Sequence, residues 1–289
     1  MQRLARVVYI FAILAFVECE YDTNYYTSKY FRFVVHHRTH FFLQPTDVTT
    51  IGKGTISHIY DMESFILYGP TIQEIEPGAF QNLPRLKSLS IMNCYISRID
   101  AGVFNNLNVT ELAIKENRRP LSLVGGAFDN MTSLQKLRLD RIQLSTWDPP
   151  WFVNTPQLKE IYACGNLLTE IPGGAFQNRN SDNEITINFA DGQISKVHYD
   201  AFRGIKKMKE LSLQHNKLEE FSSRILKNIE IGELRISNNK FECLNESEFA
   251  DIFVANKTAI GGNPWRPDCL QKILEWGMSH NKTIQNTDK

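Results

Sequence analysis

Residues 208–218 read MKELSLQHNKL and carry the motif that decides the fold, L-x-x-L-x-L-x-x-N-x-L, with Met208 at its first position. The motif occurs eight times in more or less degenerate form. The second leucine of the motif corresponds to Phe65, Leu89, Leu112, Leu137, Ile161, Ile187, Leu211 and Leu234. The third leucine corresponds to Leu67, Ile91, Ile114, Leu139, Ala163, Phe189, Leu213 and Ile236. Because alternate residues of a strand share one face, each repeat predicts a short strand with both apolar side chains pointing inward.

A second column of apolar residues confirms the period. Phenylalanines recur at intervals of 24, 24, 24, 24 and 26 residues, at positions Phe80, Phe104, Phe128, Phe152, Phe176 and Phe202. Units of this length cannot bury an apolar face alone and stack on their neighbours. The pattern therefore predicts a solenoid in which the phenylalanine rings stack along a continuous core.

The asparagine position of the motif is only partly kept. It reads Pro70, Cys94, Asn117, Ile142, Asn166, Gly192, Asn216 and Asn239. A buried amide satisfies backbone groups where the chain turns away from the sheet. Distorted turns or bound waters are therefore expected in the repeats of Pro70, Ile142 and Gly192.

The repeats resemble secreted leucine-rich-repeat proteins of the typical 24-residue class, and most of all the insect immune members without a coiled coil. The resemblance implies an α/β fold, a right-handed solenoid with a parallel concave β-sheet and a C-terminal helical cap. It implies an N-terminal cap region at 20–60, about eight repeats at 61–241, and a cap and tail at 242–289. The cap shows in Asn263-Pro264-Trp265 followed by Cys269, although Pro267 stands where the family usually has another cysteine.

The N-terminal cap region lacks the cysteine cluster common in the family and is rich in aromatic residues. Phe41 and Leu43 fall one period ahead of Phe65 and Leu67. This phase predicts a degenerate first turn that seals the core with aromatic side chains. His36, His37 and His40 are interpreted as strand-edge or loop histidines rather than metal ligands, because no further ligand is evident.

The first 19 residues are typical of a signal peptide, with Arg3 and Arg6 before the apolar run from Val7 to Val17 and Cys19 at the end. An uncleaved anchor is the alternative, but the run is shorter than the ~20 residues that span a bilayer. Secretion agrees with five N-x-[ST] glycosylation acceptors, Asn108, Asn130, Asn245, Asn256 and Asn281.

Four cysteines follow the signal peptide. Cys243 and Cys269 flank the cap and are the natural disulfide pair. Cys94 and Cys164 lie three repeats apart, about 15 Å at the spacing of strands, and cannot bridge each other. Cys164 either stays unpaired or bridges to a partner.

Composition excludes several functions. The 32 basic and 32 acidic residues balance, which disfavours nucleic acid as a partner and gives no field toward anionic lipid. No stable membrane insertion is expected after the signal peptide. The sequence has no nucleophile elbow, no HExxH and no complete P-loop, so neither catalysis nor a cofactor is predicted.

The outward positions of the predicted strands form the candidate binding surface. Tyrosine and arginine are enriched at interface hot spots. The candidate partner-binding residues are Arg138, Asp140, Arg141, Tyr162, Asn188 and Arg235. The alternative is a solvated ladder of charges that pair across repeats.

Two functions fit this surface. The first is a secreted recognition protein that binds an extracellular protein or a microbial surface ligand through its concave face, in innate immunity. The second is a secreted adhesion or developmental ligand for a cell-surface receptor. Both functions are compatible with a homo-oligomer or a hetero-oligomer.

Overall fold

A computed structural model describes residues 23–27, 31–36, 39–105, 107–147, 151–179 and 181–286. The predicted signal peptide, residues 1–19, lies outside the described residues. One sheet of 13 strands runs the length of the molecule, and its spatial order is the chain order. The strands are β1 (Thr23–Thr27), β2 (Phe31–His36), β3 (His40–Pro45), β4 (Ser64–Tyr68), β5 (Ser88–Met92), β6 (Glu111–Lys115), β7 (Lys136–Arg138), β8 (Glu160–Tyr162), β9 (Ile185–Asn188), β10 (Lys207–Ser212), β11 (Glu230–Arg235), β12 (Lys257–Ala259) and β13 (Thr283–Gln285).

From β3 onward every neighbouring pair of strands is parallel, and the register follows the repeat. Phe41 pairs with Phe65 and Leu43 with Leu67, as their phase predicts. The hairpin of β1 and β2 joins β3 antiparallel and extends the sheet past the first repeat. The molecule is therefore the predicted right-handed solenoid with a parallel concave sheet.

The convex side is built from loops, with short parallel strand pairs between successive repeats. These pairs are Thr50–Ile51 with Glu74–Ile75, Ile56–Ser57 with Phe80–Gln81, Arg98–Ile99 with Ser122–Leu123, and Glu170–Ile171 with Lys196–Val197. The core between the two sides is one continuous apolar cluster from Phe41 to Ile273.

The phenylalanine column stacks along this core as predicted. Consecutive ring centroids from Phe80 to Phe202 lie 5.7 to 6.4 Å apart with interplanar angles of at most 22°. Two tryptophans widen the middle of the stack. Trp151 meets Phe128 edge-on at 5.7 Å, and Trp147 meets Phe189 edge-on at 5.0 Å.

The longer interval between Phe176 and Phe202 contains a buried arginine, Arg179. This arginine is only 2% exposed and donates hydrogen bonds to the carbonyls of Leu158, Ser181 and Asn183. Burial lowers the pKa of its guanidinium. The guanidinium thus takes the place of apolar packing and fastens the inserted residues to the preceding repeat.

The asparagine column forms a ladder between repeats, which supplies polar partners to the turns at Ile142 and Gly192. The Asn166 amide accepts hydrogen bonds from the backbone N–H groups of Ile142 and Leu144 and donates to the carbonyl of Leu139. Asn216 likewise accepts from Ile194 and donates to the carbonyl of Phe189, in the repeat of Gly192. Each of these asparagines serves the preceding turn as well as its own, so the turns at Ile142 and Gly192 gain partners from the next repeat. The Pro70 turn is followed by Cys94 instead, and the Ile142 turn contains two non-glycine residues with positive φ, Arg141 and Gln143.

The cap region contains a 3₁₀ helix (Glu246–Glu248), helix α1 (Phe249–Ile252) and helix α2 (Pro267–Ser279). A disulfide joins Cys243 to Cys269, with Cα atoms 5.5 Å apart. Strands β12 and β13 also lie in this region, so the parallel sheet continues through the cap, which the sequence pattern did not predict. Asn263 extends the asparagine ladder by accepting from the backbone of Asn239.

Candidate binding surface on the concave sheet

The concave face has two chemically different parts. On β3, β4 and β5 the outward positions carry no Lys, Arg, Asp or Glu. They are His40, Phe42, Gln44, Ser64, Ile66, Tyr68, Ser88, Ser90 and Met92. From β6 to β12 charged side chains appear on six of the seven strands, at Glu111, Lys115, Lys136, Arg138, Glu160, Glu210, Glu233, Arg235 and Lys257.

The first charged cluster lies on β7 and β8. The Arg138 guanidinium donates to the Asp140 carboxylate at 3.0 Å and its carbon lies 5.0 Å from the centroid of the Tyr162 ring. The Tyr162 hydroxyl donates to Glu160 at 3.0 Å, and Lys136 pairs with the same carboxylate at 3.1 Å. The Lys136 ammonium also lies 5.3 Å from the centroid of the Tyr162 ring, so the ring contacts two cations of β7.

The second charged cluster lies on β10, β11 and β12. Arg235 contacts Glu233 at 2.9 Å and Glu210 at 3.2 Å. Lys257 reaches Glu233 from the next strand at 3.0 Å. The charges in both clusters are thus paired within and across repeats, and the pairs across repeats are those that the alternative of a charge ladder describes.

The pKa values of this face reflect the pairing. Burial and the hydrogen bond to Glu160 raise the pKa of Tyr162 to about 12. Burial acts to raise the pKa of Glu160, but hydrogen bonds from Lys136 and Tyr162 outweigh it and the pKa is lowered. The same balance, with Lys257 and Arg235 as donors, lowers the pKa of Glu233. The carboxylates of Glu160 and Glu233 are therefore ionised at neutral pH.

The structure brings together only part of the predicted partner-binding set. Arg138, Asp140 and Tyr162 are in contact, and Asn188 pairs with Tyr162 in the register of the sheet. Arg141 lies on the turn after β7, where its guanidinium is 3.8 Å from Glu116. Arg235 belongs to the second cluster.

The uncharged part of the face was not singled out from the sequence. The rings of Phe42 and Tyr68 stack with centroids 6.3 Å apart. Ile66 and Met92 are half-buried on the adjoining strands. A signal in the sequence could have identified this patch: the outward strand positions of three consecutive strands hold no charged residue.

Cys164 stands on the charged part of the face beside Asp140, whose carboxylate accepts from the Cys164 backbone N–H at 3.1 Å. Burial and the negative charge of Asp140 raise the pKa of the Cys164 thiol to about 12. Burial also raises the pKa of Cys94 to about 12. Because the thiolate is the nucleophile in disulfide exchange, neither cysteine is activated for bridging to a partner.

We expect the folded protein to react very slowly with a thiol reagent such as DTNB at pH 8. A pKa of about 12 leaves ~10⁻⁴ of each thiol as thiolate, against roughly a quarter for an ordinary cysteine. The rate should rise about tenfold for each pH unit while the fold persists. Unfolding in guanidinium is the control and should release both thiols. Fast labelling of the folded chain at pH 8 would contradict this picture.

The glycosylation acceptors are all exposed in the structure. Asn108, Asn130, Asn256 and Asn281 shortly precede β6, β7, β12 and β13, so they lie along the edge of the sheet where these parallel strands begin. Asn245 instead caps the 3₁₀ helix. Within the described residues no acceptor lies on the concave face or along the edge where the strands end.

Among the residues that the structure describes, no cluster of three or more His, Cys, Asp or Glu side chains could hold a metal ion. The same part of the chain has no helix that is both long and apolar enough to cross a membrane.

Three curated proteins are similar to this chain in sequence. The chain is 28% identical to mouse "Podocan" over 175 residues, 59% of this chain and 27% of Podocan. It is 21% identical to mouse "CD180 antigen" over 253 residues, 85% of this chain and 34% of CD180. Human "Leucine-rich repeats and immunoglobulin-like domains protein 1" is 23% identical over 147 residues, 51% of this chain and 13% of that protein. The chain thus spans about a third or less of the length of these relatives.

Solved structures share the fold at low sequence identity. The TLR13 chain of a complex with the single-stranded RNA ssRNA13 superposes with a TM-score of 0.64 and 18% identity, covering 76% of this chain and 32% of that one. A structure of the Drosophila Toll–Spätzle complex gives a TM-score of 0.54 and 13% identity, covering 89% of this chain and 56% of that one.

The repeats match the family described as "BspA type Leucine rich repeat region" in six copies. The matched stretches are residues 28–122, 74–196 and 169–260, which overlap into one span from 28 to 260. That span covers well over half of the chain, and the protein belongs to the BspA-type leucine-rich-repeat family.

Proposed function

We propose that the protein is a secreted recognition protein that binds a protein or microbial-surface partner through its concave sheet, in innate immunity. The observation that carries the proposal is the Arg138–Tyr162 cluster, in which an arginine and a tyrosine stand oriented on a rigid sheet. The family and its relatives suggest protein-binding recognition, and no catalytic role is proposed for any residue.

The two charged clusters contribute more to the specificity of partner binding than to its affinity. Each ion is already paired within the face, so a partner gains little by adding one further ion pair. Fixed charges of alternating sign instead select the orientation of a partner and penalise a wrong one. The partner's gain in free energy would come from covering the Tyr162 ring and the aliphatic parts of Arg138 and Lys136.

Secretion and glycosylation are part of the same proposal. Glycans at Asn108, Asn130, Asn256 and Asn281 would project from the edge where the strands begin. The concave face and the opposite edge would then remain open to a partner. Release of N-glycans from the protein recovered from culture medium should lower its mass, whereas an unchanged mass would contradict glycosylation.

The binding test compares two matched double variants of the secreted chain. Arg138→Glu/Tyr162→Ala removes the concave Arg–Tyr contact. Arg224→Glu/Tyr199→Ala removes a similar contact, with the guanidinium carbon 4.0 Å from the ring centroid, that lies outside the concave sheet. Both pairs lose the same chemical groups, so a difference between the two variants reports location alone.

The measurement is the amount of partner protein from native body fluid that is cross-linked to each variant. We expect this amount to be at least about tenfold lower for the concave variant, since the loss of one hot spot costs about 2 kcal/mol or more of binding free energy. The control variant should bind like the natural sequence. Circular dichroism must show that both are folded. Equal binding by all three proteins, or equal loss in both variants, would contradict recognition through the concave face.

The alternative of a developmental or adhesion ligand is kept because the Toll–Spätzle complex is a molecular hub in both development and innate immunity of Drosophila. Binding of the purified chain to microbial cells and to host cells separates the two functions. Loss of microbial binding in the concave variant supports the immune function. Binding to host cells alone, lost in the same variant, supports the alternative.

A further inference from the structure

The N-terminal end of the 13-stranded sheet is an open edge. β1 pairs with β2 along one side, and among the residues that the structure describes no strand pairs with its other side. The outer N–H and C=O groups of such a strand are a template for another strand. The edge therefore has backbone hydrogen-bonding groups available to a second chain.

The composition of β1 does nothing to protect this edge. The strand reads Thr-Asn-Tyr-Tyr-Thr and has no charged residue, proline or glycine. Soluble proteins usually blunt exposed edges with lysine, proline or a bulge. Threonine and tyrosine are instead favoured in strands, so this segment is suited to pairing.

The opposite end of the sheet is built differently. β13 has three residues, and Lys282 directly precedes it. Helix α2 packs against it so closely that a Cβ atom placed on Gly277 would lie 2.8 Å from the Ile284 side chain. A strand of three residues under a helix offers few backbone groups for pairing, so the two ends of the solenoid are not equivalent.

The sequence of β1 is complementary to itself. In an antiparallel pair centred on Tyr25, Thr23 faces Thr27 of the second copy and Asn24 faces Tyr26 of the second copy. Every cross-strand pair is uncharged, so none is repulsive. The arrangement is two-fold symmetric and closes after two copies.

The concave face next to this edge is also compatible with a second copy. The outward positions of β3, β4 and β5 carry no Lys, Arg, Asp or Glu, and include Phe42, Ile66, Tyr68 and Met92. β2, between this face and β1, carries Arg32, which pairs in register with Thr27 and Gln44. In the antiparallel pair Thr27 faces Thr23 of the second copy, so the two Arg32 residues lie at opposite ends of the junction and do not face each other. The nearest charged outward position of the repeats is Glu111, on β6.

We propose that two copies of the protein pair through β1 in antiparallel orientation and join their concave sheets into one continuous surface. The occupant of the open edge is thus a second copy of the same chain. A strand pair of five residues is a small interface, so we expect a dissociation constant in the range of about 1 to 100 μM. The proposal does not depend on the partner of the concave face.

Sedimentation velocity of the full secreted chain between about 1 and 100 μM tests the proposal, since the dimer fraction should rise across this range. Asn24→Lys/Tyr26→Lys places lysine opposite lysine at both pairs of the register. This variant should stay monomeric, with its dissociation constant raised at least about tenfold. Thr283→Lys, on the far edge of the sheet, is the control and should dimerise like the natural sequence.

A charge-swap experiment distinguishes pairing through β1 from a general effect of added charge. Asn24→Glu/Tyr26→Glu should also be monomeric alone, but an equimolar mixture with the lysine variant should restore the dimer. A natural chain that stays monomeric throughout the range would overturn the proposal, as would a dimer that persists in the lysine variant. A mixture that remains monomeric would overturn the proposed register.

Discussion

Phe128→Ala is expected to lower the free energy of unfolding by about 3 to 5 kcal/mol, because it removes a fully buried ring and leaves a cavity. The ring stacks on Phe104 at 6.4 Å and Phe152 at 6.1 Å, and Trp151 packs against it edge-on. The neighbours belong to the same periodic stack and cannot move in without breaking their own contacts. The cavity should therefore collapse little.

Thermal unfolding followed by circular dichroism measures this effect, and a loss of roughly 10 °C in Tm is expected for a chain of this size. Phe42→Ala is the control, because this ring lies half-buried on the concave face and stacks on Tyr68 alone among the described aromatic residues. It should cost less than about 1.5 kcal/mol. Equal losses in the two variants would show that the phenylalanine stack is not the stabilising core of the solenoid.

Asn166→Ala is expected to cost about 2 to 4 kcal/mol, because it leaves several buried backbone groups without a partner. The amide accepts from the N–H groups of Ile142 and Leu144 at 3.1 Å and donates to the carbonyls of Leu139 and Ala163 at 2.7 and 2.8 Å. The preceding repeat has Ile142 at the asparagine position and cannot supply a substitute. The loss should therefore weaken two turns.

Denaturant unfolding checks this prediction, with Asn188→Ala as the matched control. Asn188 also has an amide side chain in the sheet region, but it bonds within its own repeat, accepting from Ala190 at 2.9 Å. Its replacement should cost under about 1 kcal/mol. A cost for Asn166→Ala no greater than for Asn188→Ala would mean that the ladder does not couple neighbouring repeats.

The charged clusters explain why the candidate site was predictable only in part. Sequence phase correctly placed Arg138, Tyr162 and Arg235 on the outward face of the strands. It did not show that Arg138 is paired with Asp140, or that Arg235 is shared between Glu210 and Glu233. Whether a surface charge is free or paired depends on side-chain reach between strands, which the repeat alone does not specify.

By itself, the sequence determined the architecture of this protein. Apolar residues recurring every 24 residues can be buried only if the repeats stack, so the strand positions, the phenylalanine core and the turns at Asn166 and Asn216 follow from the period.

Tertiary structure alone decided which groups meet across repeats. It showed that each asparagine serves the turn before it, that Arg179 fastens the longer repeat, and that β12 and β13 carry the sheet through the cap. Among the described strands, it also placed β1 at the edge of the sheet. These features depend on polar contacts between residues more than 20 positions apart and on the ends of the stack, where the apolar period gives no signal.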